Sequence, residues 1–223
     1  MSFYDICNGF AIFLNIFSIL TILFMTFIKY RRFLCIRSEQ FFGLLIACMM
    51  CDLLCSGSIL LSISTFNSSL DDSMCAIMGV FFTFSLFGIS LYNLFMSLYL
   101  SYVIKTKQEG SFKITVAAHV VSLGVSFAIA LRGIFVEGEF ARGLFKFCGP
   151  AANTITTSLS GAFLTGSFLV QLIVYVGVIG RQRYKDRHSV ILKRMSFCNL
   201  VIYGFSYFIA GLFHMPIIDE YLT

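Results

Sequence analysis

Apolar positions along the chain fall into long unbroken runs, separated by short polar and basic stretches. The clearest run covers residues 41–65 and carries a single acid, Asp52, near its middle. About 20 apolar residues suffice for a helix to cross the hydrocarbon core. Six such runs are read, at 9–28, 41–65, 76–104, 114–136, 155–180 and 195–218. They are continuous rather than alternating, so helices are predicted and a β-barrel is not. The expected fold class is all-α: one polytopic transmembrane bundle over residues 1–223. The third run is the longest, which implies tilt or extension beyond the bilayer. No basic region precedes the first run, so it is read as a retained signal anchor rather than a cleaved leader.

Composition agrees with this pattern. The sequence is 58% hydrophobic and 12% charged, the balance of an integral membrane protein rather than a soluble domain. Its net charge of +5 lies in the stretches between spans. Lipid is therefore the expected partner, and nucleic acid is not.

The placement of charge predicts an orientation. Lys29, Arg31, Arg32 and Arg37 follow the first span; Lys105, Lys107 and Lys113 lie between the third and fourth. Arg181, Arg183, Lys185, Arg187, Lys193 and Arg194 fill the fifth loop. The opposite side has Arg132, Arg142 and Lys146, with most of the acids. The positive-inside rule then places loops one, three and five in the cytoplasm. The N-terminus falls outside, as does the C-terminus if there are six spans. A multi-pass protein of the plasma membrane is expected.

Several residues carry candidate chemistry. A carboxylate at the depth of Asp52 must face helices, a partner or water. It is read either as a polar group that fixes packing or as an ion- or proton-sensitive switch. Asn67-Ser68-Ser69 is a glycosylation acceptor in an expected outer loop. Cys75 and Cys148 fall in outer loops, where an oxidising exterior permits a disulfide. The alternative is two free thiols; the bridge is preferred. Cys48 and Cys51 form a C-x-x-C pair with Cys55 a turn further on. Inside an apolar span they are read as packing residues. Ala118, Ser122, Ser126 and Ala130 recur at helical spacing and predict a close-contact face on the fourth span. Gly161, Gly166, Gly177 and Gly180 are read as packing positions on the fifth.

A resemblance emerges from these residues in order. The first span holds Leu14-Asn15 and is followed by Lys29-Tyr30-Arg31-Arg32. The second holds Leu44-Leu45-Ile46-Ala47 and Asp52-Leu53-Leu54. The third opens after Cys75 and closes in Ser90-Leu91-Tyr92-Asn93-Leu94-Phe95-Met96-Ser97-Leu98-Tyr99-Leu100; Cys148 follows the fourth. Together these resemble a G-protein-coupled receptor, and are most similar to slime-mould cyclic-AMP receptors and fungal glucose-sensing receptors. The arginine-centred motif that closes the third span of rhodopsin-like receptors is absent, as is tryptophan. The resemblance implies a seventh helix that the sequence does not include. The alternatives are a truncated sequence, a partial gene product or a divergent six-helix relative.

The resemblance implies roles for particular residues. Asn15 and Asp52 would belong to a polar core network, and Cys75 and Cys148 to an outer disulfide. Tyr99, Tyr102, Lys105, Arg181, Arg183, Lys193 and Arg194 would face a heterotrimeric G protein. The fifth-loop cations are alternatively topology signals that attract anionic lipid. Arg132 and His214 are candidates for the pocket of a small extracellular ligand. Their simpler readings are snorkelling for Arg132 and a helix contact for His214. His119 is assigned no functional role. No H-E-x-x-H, G-x-S-x-G or P-loop spacing occurs, and the three histidines lack metal-ligand spacing. No enzymatic activity, cofactor or metal is expected. The competing functional readings are a small six-span transporter or channel and a non-signalling membrane assembly protein.

Overall fold

The computed structural model describes residues 39–64, 72–106, 108, 111–136, 140–142, 148–151 and 154–179, with single positions in the first and sixth spans. It contains four long helices. They are α1 (Glu39–Ser64), α2 (Asp72–Thr106), α3 (Phe112–Phe135) and α4 (Ile155–Val174). A π-helical turn, Tyr175–Ile179, continues α4. All four are long and apolar enough to cross a membrane. Their bounds lie close to those expected for spans two to five. The first and sixth spans fall largely outside the described residues; Phe13, Ile16, Leu20, Leu23 and Phe24 of the first are helical and exposed.

Local chemistry fixes two helix starts. The Ser111 side chain accepts a hydrogen bond from the Lys113 N–H, and that of Thr154 from the Thr157 N–H, both at 3.3 Å. These caps satisfy backbone donors that lack partners in the first turn. Within the helices, hydroxyls donate back to carbonyls one turn earlier. Examples are Ser58 to Leu54 at 2.7 Å, Ser85 to Phe81 at 2.6 Å and Ser90 to Leu86 at 2.9 Å. A serine so bonded tolerates an apolar surround.

The bundle is assembled around α2. Of its span, 56% is buried, against 22–28% for the other three helices. Helix α1 runs antiparallel to it. Phe41 stacks on Tyr99, a Cβ on Gly88 would meet the Cys51 sulfur, and the Ser62 hydroxyl bonds the Met78 sulfur at 3.2 Å. Helix α4 runs parallel to α2: Phe87 meets Phe163 edge-on at 5.1 Å, while Val174 and Tyr175 pack on the cluster holding Met96, Tyr99 and Leu100. With 35 residues, α2 is about 50 Å long at 1.5 Å per residue. That exceeds the roughly 30 Å hydrocarbon core.

The outer surface carries large apolar side chains such as Leu61, Phe81, Val120, Phe127 and Ile173. The buried faces of α3 and α4 are mostly small or polar. On α3 they are Thr115, Ala118, Ser122, Ser126, Ala130 and Gly133, which includes the predicted close-contact face. On α4 they are Thr156, Ser160, Leu164, Ser167 and Gln171. This suits helices in lipid, where small groups permit close approach and hydrophobicity alone does not drive association.

The helical character expected from the sequence holds for nearly all the described residues, and one expectation is corrected. Gly161, Gly166 and Gly177 are exposed, and a Cβ on any of them would meet nothing within 4 Å; Gly180 lies outside the described residues. The packed face of α4 is its hydroxyl and amide face, not its glycine face. The stretch after α3 also forms a short antiparallel hairpin, β1 (Phe140–Arg142) with β2 (Cys148–Pro150), pairing Phe140 with Pro150 and Arg142 with Cys148. The helical bundle therefore has a small strand cap.

Candidate functional site

Because α2 touches each of the other helices and the hairpin, the candidate site is read along its length. Its first turns form a clamp. Cys75 and Cys148 are joined by a disulfide with Cα atoms 5.2 Å apart. The pair and Met78 make a small buried cluster of their own. The bridge pins β2 to α2. The Phe140 ring on β1 then lies in a notch between two helices. A Cβ on Gly79 of α2 would come within 2.5 Å of that ring, and one on Gly133 of α3 would overlap it. Only glycine leaves room at both positions. Arg132, next to Gly133, is half-buried, and one terminal guanidinium nitrogen is enclosed.

In the middle, three helices converge. A Cβ on Gly88 of α2 would sit 2.7 Å from the Cys51 sulfur of α1 and 3.8 Å from the Ser126 hydroxyl of α3. Cys48 and Cys51 are buried within the main apolar cluster, as the packing reading requires. Asp52 follows Cys51 on α1 and is half-buried. Tyr92, 1% exposed, shares a 3.0 Å hydrogen bond with His119 Nδ1 on α3, and the two rings meet edge-on. The far edge of the imidazole faces α1, 3.8 Å from where a Gly43 Cβ would lie.

At the far end of α2, Tyr99 is buried and donates to Gln40 Oε1 of α1 at 3.3 Å. Tyr102 and Lys105 are exposed. Lys105 lies in the last turn, where a cation complements the helix dipole.

The structure thus unites Cys75 with Cys148 and spreads Tyr99, Tyr102 and Lys105 along the last turns of α2. Of these, Tyr99 is turned inward and two are accessible. Asp52 and Arg132 lie on different helices. Asn15, Asn67, Arg181, Arg183, Lys193, Arg194 and His214 lie outside the described residues. Sequence reasoning missed Phe140 with its two glycines, the Tyr92–His119 pair, and the buried polar face of α4. The last had a readable signal: Thr156, Ser160, Ser167 and Gln171 recur at helical spacing within an apolar run. Among the described residues, no cluster of three or more His, Cys, Asp or Glu side chains could hold a metal ion.

A scan against known protein families and a search of curated proteins each return no match to the chain.

Proposed function

We propose that the chain is a G-protein-coupled receptor-like protein of the plasma membrane, transmitting an extracellular chemical signal to a heterotrimeric G protein. In this reading it has at least six spans with the N-terminus outside. The hairpin end of α2 then faces the exterior and the Lys105 end the cytoplasm, in keeping with the basic loops. An extracellular disulfide accords with that side.

The observation that carries the reading is the course of α2. It is pinned to the hairpin through Cys75, packs on α1, α3 and α4, and ends at accessible Tyr102 and Lys105. A ligand that binds the clamp end more tightly in one helix arrangement shifts the population toward that arrangement. The shift reaches the Lys105 end because packed helices move as units. Tyr102, Lys105 and the fifth-loop cations Arg181, Arg183, Lys193 and Arg194 supply a basic surface for the G protein. Asp52, with Asn15, supplies polar groups to the core.

The test is nucleotide exchange on a panel of heterotrimeric G proteins, with the folded chain in lipid nanodiscs and a broad set of small ligands. Ligand-dependent exchange supports the proposal. No exchange from folded protein with any ligand refutes it.

A further inference from the structure

Gln171 on α4 is 2% exposed, and among the described residues neither its Oε1 nor its Nε2 has a hydrogen-bond partner. Two serines on the same face meet their needs locally. Ser160 donates to the Thr156 carbonyl at 2.8 Å and Ser167 to the Leu164 carbonyl at 3.1 Å. A carboxamide cannot do the same. Helix carbonyls could receive its N–H groups, but its own oxygen needs a donor, and interior helix N–H groups are already bonded. That donor must come from outside α4.

The surroundings narrow what it can be. Gln171 lies on the α4 face turned to α2, two turns beyond the Phe87–Phe163 contact and one turn before Val174 and Tyr175 reach the Met96–Leu100 cluster. The two helices run in parallel, so it faces α2 near Leu94 and Ser97. Neither α4 nor this part of α2 carries a charged residue, so a neutral ligand is favoured over an ion. The π-helical turn begins four residues on, at Tyr175, whose N–H is shared between the Gln171 and Leu172 carbonyls.

We propose that Gln171 marks a site between α2 and α4 that binds ordered water. Water is neutral, small, and both donor and acceptor, so it meets the carboxamide oxygen and its N–H groups together. Buried water characteristically joins such otherwise unmet groups. The site is independent of whether the chain signals.

The experiment uses the full chain, ¹⁵N-labelled, in nanodiscs of a single synthetic lipid. The Gln171 side-chain amide is identified as the glutamine signal lost in Gln171→Leu. We expect a cross peak between its protons and water. A cross peak to carbon-bound protons of a co-purified molecule would assign the same hydrogen-bonding chemistry to an organic ligand and overturn the proposal. No cross peak at all would also overturn it. Gln171→Leu should have a Tm no higher than the parent, because it discards a met amide. A raised Tm marks a dry, unmet amide and refutes the site. Should Gln171→Leu not fold, Gln171→Asn supplies the assignment and the water cross peak decides.

Discussion

Substituting Gly133 with alanine tests the hairpin notch, and the same helix contains its control. A Cβ at Gly133 would overlap the Phe140 ring, whereas one at Gly124 would meet nothing within 4 Å. Both glycines lie within α3, so both alanines gain the same helix propensity, about 1 kcal/mol. That term cancels between the variants. What remains is the cost of overpacking at Gly133, roughly 1–3 kcal/mol. The ring cannot swing clear cheaply, because β1 is paired to β2 and β2 is tied to α2 by the disulfide. For a chain of this size each kcal/mol moves Tm by about 2–4 °C, so Gly133→Ala should melt roughly 2–12 °C below Gly124→Ala. Thermal unfolding in detergent, read by a thiol-reactive dye, reports this directly, since buried Cys48 and Cys51 become reactive only on opening. Gly79→Ala should behave like Gly133→Ala. Adding Phe140→Ala to Gly133→Ala should restore much of the loss, because the colliding ring is gone. Equal Tm values for the Gly133 and Gly124 variants, or strict additivity in the double variant, would refute the notch.

Three further outcomes are expected. Cys75→Ser, Cys148→Ser and the double variant should lose the same stability, about 2–4 kcal/mol, because each opens the same 73-residue loop; a double variant clearly worse than either single, in the same melting assay, contradicts this. Tyr92→Phe and His119→Phe should each cost about 0.5–1.5 kcal/mol, with the double variant little worse than one, since both remove one hydrogen bond; additive losses in a double-mutant cycle contradict the pairing. Asp52→Asn should abolish any sodium or pH sensitivity of G-protein activation while the protein stays folded, and sensitivity that survives in nucleotide-exchange assays leaves Asp52 with a packing role alone.

Much of the bundle was legible because membrane helices announce themselves by continuous apolar length. The bounds of α1 to α4, the disulfide partners and the packed face through Ala118, Ser122, Ser126 and Ala130 follow from local spacing and topology. The rest depends on pairings that local spacing cannot specify. Phe140 acquires its notch from Gly79 and Gly133, which belong to different helices. Tyr92 and His119 lie 27 residues apart, and neither carries a local mark of the other. The hairpin is two strands of three residues, too short for alternation to register. The glycines of the fifth span misled for a physical reason. Small size permits close approach but does not require it, and on α4 the contact face is formed instead by Thr156, Gln171 and two serines, Ser160 and Ser167, bonded to their own backbone. Gln171 was overlooked because a single polar residue in an apolar run does not show whether its partners lie within the protein.

The receptor reading rests most directly on coupling between the two ends of α2. The measurement that decides it is ligand-stimulated nucleotide exchange on a panel of heterotrimeric G proteins by the folded chain in nanodiscs, beside a Tyr102→Ala/Lys105→Ala variant. We expect stimulated exchange on at least one G protein, reduced at least several-fold in the variant with Tm unchanged. Folded chain that stimulates no G protein with any ligand, or stimulation that the variant leaves intact, would contradict it.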